Sequence, residues 1–330
     1  MKTLLKGGTV YRDHRFVAAD ILTEDGVIRQ IGSNLEADGA EVFDVSGYRI
    51  VPGFLDVHTH GAVGVDVNAA EPEDIEKVCR FQASQGTTGW LGSVLTDTRE
   101  QTLWCIEQFK QWEKLEHQGA ELLGIHLEGP FLSPDYKGAM PEHLLQKPNL
   151  ELLKEYQKAA EGRIRYITVS PELDGMVDFI AEIGKLGIVT AIGHSGADYE
   201  TAQAAIANGA EGATHTGNAM KLLHQHFPAI WGAVLENDRV FCEIICDGRH
   251  LHPGTVRLII KTKGLDRVVA ITDSIMAAGL PDGKYKLGVN DVVVVDGDAE
   301  IYRSSSGGDY SHADRESGKA DSCFRSGRIH

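Results

Sequence analysis

From Phe54 onward the chain alternates short apolar runs with amphipathic segments of helical period, and this alternation limits the fold more than any single motif. The apolar runs 54–57, 87–95, 122–127, 164–169, 188–192, 212–214, 240–245 and 268–271 read as strands, the first of them short and buried. Helical stretches stand between them. The stretch 72–85 spaces Ile75, Val78 and Cys79 on one face, with Pro72 in its first turn and Gly86 as its stop. Thr98-x-x-Gln101 has the form of a capping box, opening a helix that carries Leu103, Ile106 and Phe109. Further helices are expected from about 149 and over 174–186, 198–208, 229–236 and 254–263. Eight strands with intervening helices over about 220 residues fit an α/β fold, a TIM-like (β/α)8 barrel spanning 53–282. The alternative is an open doubly wound sheet. That fold places a Gly-rich phosphate loop after its first strand, and none follows Val57. Before the barrel, the apolar runs 3–5, 17–22, 27–31 and 49–51 sit between polar or Gly-rich turns and read as a small β unit over 1–52.

A barrel carries its functional groups at the C-terminal ends of its strands. Strand one leads into His58-Thr-His60, and residues two apart on a strand face one side, so both imidazoles address one point. Strand three exits at Glu128, strand five at His194, strand six at His215 and strand eight at Asp273. Any one of these alone reads equally well as a satisfied core histidine or a helix-capping carboxylate. Five strand ends obeying one geometric rule argue for a site. Four imidazoles with two carboxylates form the nitrogen and oxygen set suited to Zn²⁺, Fe²⁺ or another hydrolytic metal.

Composition excludes several classes. The 330 residues are 42% hydrophobic and carry a formal net charge of −16, without the clustered Lys and Arg that a nucleic-acid surface needs. The same balance argues against anionic membranes, and no apolar run is long enough to span a bilayer. The first residues lack the apolar core and cleavage site of a signal peptide. Cys79, Cys105, Cys242, Cys246 and Cys323 form no CxxC and no even framework. A reducing, cytoplasmic setting is therefore expected.

With these residues in place the sequence resembles the amidohydrolase superfamily and, within it, the N-acetylglucosamine-6-phosphate deacetylases. The matching stretches are Pro-Gly-Phe-Leu-Asp-Val-His-Thr-His-Gly (52–61), His-Leu-Glu-Gly-Pro-Phe (126–131) and Gly-His-Ser (193–195). Asn-Ala-Met (218–220), Asp-Gly-Arg-His (247–250) and Thr-Asp-Ser…Ala-Ala-Gly (272–279) complete the set, and the resemblance covers residues 1 to about 299. The resemblance implies a homodimer, a small β-sandwich built from both chain ends with return strands over 283–302, and one or two divalent ions per chain, zinc first and iron second. It implies that Glu128, His194 and His215 hold the principal ion and that His58 and His60 hold a second where one is kept. It makes Asp273 the general base, Asn218 and the Ala219 backbone contacts for a sugar phosphate, and His250 a phosphate- or substrate-contacting group. The implied reaction is deacetylation of an N-acetylhexosamine-6-phosphate, the gluco epimer first and the galacto epimer second. Ser195 follows His194 but lacks a Gly-x-Ser-x-Gly elbow, so it reads as structural.

Four departures stand against that pattern. In Lys137-Gly-Ala139-Met140, Met140 occupies a place where many members have a substrate-contacting histidine. His215-Thr-Gly-Asn218 replaces a more usual His-Leu-aromatic-Asn. His226 stands where the family often has a phosphate-binding arginine. A guanidinium is always charged and binds bidentately; an imidazole offers one or two donors. Residues 303–330 hold seven Ser and four Gly with scattered charge and no apolar period, a composition that reads as disorder. Two other functions remain open at this level: an amidohydrolase for N-acyl amino acids or cyclic amides, and a catalytically silent barrel serving as a binding or scaffold subunit.

Overall fold

The computed structural model describes residues 1–301 and divides the chain into two compact units, Met1–Phe54 and the remainder from Leu55. The tail over 303–330 lies outside the described residues.

The first unit holds β1 (Lys2–Lys6), β2 (Thr9–Arg12), β3 (Arg15–Ala18), β4 (Asp20–Glu24), β5 (Val27–Gly32), β6 (Glu41–Asp44) and β7 (Arg49–Ile50). They form two sheets, ordered β5-β4-β1-β6 and β3-β2-β7. The apolar run 17–22 is thus two strands in different sheets. They part at Ala19, whose amide bonds back to the Gly8 carbonyl at 3.2 Å, and at buried Asp20. The Asp20 carboxylate accepts from the amides of Gly7 and Leu35 at 2.8 and 2.9 Å, which holds its pKa below the ordinary value.

The second unit continues β8 (Phe54–Thr59) with a short hairpin of β9 (Gly61–Ala62) and β10 (Val65–Asp66). Then α1 (Pro72–Ser84), β11 (Thr87–Leu95), α2 (Arg99–Trp112), β12 (Glu121–Glu128), α3 (Leu150–Ala159), β13 (Ile164–Val169) and α4 (Met176–Lys185) follow. The alternation continues through β14 (Val189–Ile192), α5 (Tyr199–Ala207), β15 (Ala210–Ala213), α6 (Ala229–Glu236), β16 (Phe241–Ile245), α7 (Pro253–Lys263) and β17 (Val268–Ile271). Eight strands lie in the order β17-β16-β15-β14-β13-β12-β11-β8, each paired strand in register running parallel to the next. The first and last close on each other just past their ends. Asp273 donates its amide to the His58 carbonyl at 2.9 Å, and His60 donates to Ser274 at 2.7 Å. The fold is a TIM-like barrel, with small additional sheets towards both chain ends.

The expectation of a buried first strand over 54–57 holds only at Asp56, since Phe54 and Leu55 are exposed and Val57 is half-buried. The main apolar core lies between barrel and helices, centred on Trp90, Trp112, Phe131, Tyr156 and the isoleucines of β12 to β14. A second cluster joins Leu95, Leu132, Met140 and Ile275 to Leu287, Val292 and Val294. The last three belong to a separate antiparallel sheet of β18 (Gly283–Leu287), β19 (Asn290–Val295) and β20 (Asp298–Ile301).

Candidate active site

All six ionisable residues at the strand ends are buried, and they come together in two groups: His58, His60 and Asp273, and Glu128, His194 and His215. Local backbone explains how strand-end residues turn inward. His194, His215 and Asp273 have φ of +48°, +28° and +50°, in the left-handed region. Non-glycine residues held there cost about 1–3 kcal/mol each, a strain typical of functional positions. Gly61 supplies the sharpest requirement. Its φ is +142°, and a Cβ there would lie 2.0 Å from the Val65 carbonyl oxygen across the β9–β10 hairpin beside His60.

Glu128 joins the two groups. One carboxylate oxygen lies 3.0, 3.3 and 3.4 Å from Nε2 of His194, His215 and His58, and the other 3.1 Å from Nε2 of His60. Asp273 Oδ1 faces His58 and His60 at 3.3 and 3.2 Å. The Nε2 atoms of His58 and His60 lie 3.1 Å apart, and those of His194 and His215 3.0 Å apart. Two nitrogens bound about 2.0–2.1 Å from one tetrahedral Zn²⁺ would lie roughly 3.4 Å apart, so each pair of lone pairs already converges on a cation-sized point. Nitrogen and carboxylate donors in this mixture suit Zn²⁺ or Fe²⁺ better than Ca²⁺ or Mg²⁺. The residues fit divalent metal.

The electrostatics agree. Burial alone would raise the Glu128 carboxyl, but the surrounding imidazoles, His58 and His60 foremost, hold it well below the usual carboxylate range. Asp273 is likewise held far below its ordinary value: burial opposes ionisation, and His58 and His60 outweigh it. Burial disfavours a charged His60, yet Glu128 and Asp273 lift it to about 9. Glu128 and Asp273 thus stand as ionised carboxylates among the rim imidazoles.

Outer nitrogens orient the ligands. His60 Nδ1 bonds the Ser93 carbonyl at 3.0 Å, and His194 Nδ1 bonds the Tyr136 carbonyl at 2.8 Å. Ser195, the residue after His194, donates its hydroxyl to Glu172 at 2.7 Å, while its amide bonds the Ala219 carbonyl.

The remaining sequence-derived residues lie outside the six-residue cluster. Asn218 donates its side chain to the His215 carbonyl at 3.1 Å, and Ala219 has a φ of +45°. Ala139 accepts from the Asn290 side chain at 2.8 Å, and Met140 is packed in the second apolar cluster. His250 bonds Asp247 at 2.7 Å, and His226 stands on an exposed loop beside His224. Sequence reasoning passed over Glu243, His126 and Ser93, all buried next to the rim. Their signal was present, since a polar residue inside an apolar barrel strand needs a partner there.

A parallel barrel whose rim gathers imidazoles and carboxylates around a cation-sized point defines a metal-dependent hydrolase. The family model described as "Amidohydrolase family" matches residues 49–309. The chain belongs to this family, among its N-acetylglucosamine-6-phosphate deacetylases. It is 32% identical over 289 residues to the N-acetylglucosamine-6-phosphate deacetylase of Lysinibacillus sphaericus, covering 88% of this chain and 75% of that one. It is also 32% identical over 284 residues to the N-acetylgalactosamine-6-phosphate deacetylase of Escherichia coli O157:H7, covering 86% of this chain and 73% of that one. Among solved structures, a mutant N-acetyl-D-glucosamine-6-phosphate deacetylase from Mycobacterium smegmatis, in complex with N-acetyl-D-glucosamine-6-phosphate, superposes with a TM-score of 0.86 at 30% identity. That match covers 97% of this chain and 80% of that one.

Proposed function

We propose that this chain hydrolyses the acetamide of N-acetylglucosamine-6-phosphate, releasing acetate and the free amino sugar 6-phosphate. The observation that carries the reading is Asp273 Oδ1 at 3.2–3.3 Å from the His58 and His60 nitrogens, on the rim that Glu128 completes. A divalent ion bound by these residues supplies Lewis acidity, acidifying water and polarising a carbonyl oxygen. Glu128, His194 and His215 would hold the principal ion, and His58 with His60 a second; zinc is the first candidate and iron the other. Asp273, ionised and shielded from solvent, accepts the proton of the attacking water. The water oxygen bonds the acetyl carbon, the carbon–nitrogen bond breaks, and Asp273 returns the proton to the leaving amine. Asn218, the Ala219 amide and His250 are proposed to receive the sugar phosphate, with His226 as a weaker phosphate contact and Ala139 and Met140 on the sugar side. We further propose a cytoplasmic homodimer with 53–282 as barrel and 1–52 with 283–302 as small β domain. The four described cysteines are free, and no described helix is long and apolar enough to cross a membrane.

The test couples elemental analysis to acetate release from N-acetyl sugars with and without a 6-phosphate. The gluco 6-phosphate is expected to be the best substrate and the galacto epimer, which the Escherichia coli relative's name carries, the second. Asp273→Asn should keep its metal and lose on the order of 10²–10⁴ in kcat, the range of general acid–base catalysis. His194→Ala should lose the principal ion. Full metal content in His194→Ala, or near-normal turnover in metal-replete Asp273→Asn, overturns the assignment. Phosphate preference should rise in His226→Arg, because a guanidinium is always charged and binds phosphate bidentately. A preference unchanged in that variant removes His226 from the phosphate site.

A further inference from the structure

Glu243 stands in the middle of β16, between Phe241-Cys242 and Ile244-Ile245, and its side chain is 1% exposed. A carboxylate removed from water needs partners for both oxygens. Oε2 accepts from His58 Nδ1 at 3.2 Å and lies 3.5 Å from the His215 amide. Oε1 accepts from the Tyr166 hydroxyl. The room for that phenol comes from Gly212, where a Cβ would lie 2.2 Å from the Tyr166 oxygen. Three barrel strands, β13, β15 and β16, thus contribute to one arrangement ending on His58.

The four rim histidines differ on their outer side. His60 and His194 meet backbone carbonyls, and His215 Nδ1 has no partner among the described residues. Only His58, among these described contacts, meets a carboxylate. A carboxylate accepting from Nδ1–H fixes the tautomer, leaves the Nε2 lone pair facing the site and makes that nitrogen a stronger donor.

We infer that Glu243, braced by Tyr166, is a positioning residue that tightens the ion held by His58 and His60 and leaves the ion of Glu128, His194 and His215 unaffected. The inference rests on the metal-centre reading given under Proposed function. It predicts an asymmetry between two sites that a merely structural carboxylate would not produce.

The test is competition between the protein and a chromophoric chelator for Zn²⁺, resolving the two equivalents in wild type, Glu243→Gln, Tyr166→Phe and His58→Ala. His58→Ala identifies which equivalent involves His58. Glu243→Gln should weaken that equivalent by about 10–100-fold, the usual effect of removing an outer-shell partner, with the other unchanged. Tyr166→Phe should weaken the same equivalent by less. Equal weakening of both equivalents, unchanged affinities, or a wild type holding a single equivalent each overturns the inference. Should Glu243→Gln not fold, unchanged affinities in Tyr166→Phe overturn it instead. No substrate enters this experiment. A wrong amino-sugar assignment would show separately, as absent acetate release by a chain with both zinc equivalents intact.

Discussion

Asp56 shows how much a single residue can carry beneath the rim. It is buried two residues before His58, accepts from the Thr272 hydroxyl at 2.6 Å and from the His58 amide at 3.2 Å, and is pushed up to about 6 by burial. A carboxyl raised from 3.8 contributes stability that is fully present below about pH 4 and lost as pH rises through 6. Raising this pKa from 3.8 to about 6 corresponds to about 3 kcal/mol. Denaturant unfolding of wild type and Asp56→Asn from pH 4 to 8 should therefore show wild type losing about that much relative to the variant. Parallel curves would mean that Asp56 ionises as readily folded as unfolded. At this same scale the six rim residues were legible, because each is an ionisable group ending an apolar run. Glu243 and Tyr166 were not read, because their roles depend on neighbours 185 and 77 residues away along the chain.

Elements were legible where local rules govern them. The strands at 87–95, 164–169 and 268–271 and the helix at 229–236 fall where the apolar pattern places them. Capping shows the limit. Thr98 does accept from the Gln101 amide, but the Gln101 side chain bonds the Asn68 carbonyl at 2.7 Å instead of returning to residue 98. The reciprocal box forms at Glu71 and Asp74, opening α1. A tertiary acceptor outcompeted the local one. The β9–β10 hairpin offers an element-scale prediction. Gly61→Ala meets both an unfavourable φ and the Val65 carbonyl, and should cost more than the about 1–3 kcal/mol of backbone strain alone. Because the hairpin follows His60, zinc affinity should fall together with Tm. A stable, fully metallated Gly61→Ala protein would show that the hairpin has slack.

At the scale of the whole molecule, barrel closure makes the site. The Asp273 and Ser274 backbone pairs with His58 and His60, bringing residues more than 200 positions apart into one centre. Association is the prediction that belongs here. Light scattering should give a mass twice the 35.9 kDa of the chain, and a monomer at micromolar concentration would refute the proposed homodimer.

The sequence by itself determined the alternation of strands and helices, the rule that places ionisable groups at one rim, and a motif set pointing to the family that the comparisons show. Those are local properties, written in periodicity and in residues at fixed spacing. Tertiary structure alone decided which imidazoles share a point, that Glu128 joins both groups, that Met140 packs in an apolar cluster, and that a carboxylate from β16 braces His58. The physical reason is that periodicity assigns a residue to a face of its own strand, whereas the charges and donors facing it come from strands distant in sequence, fixed only when the barrel closes.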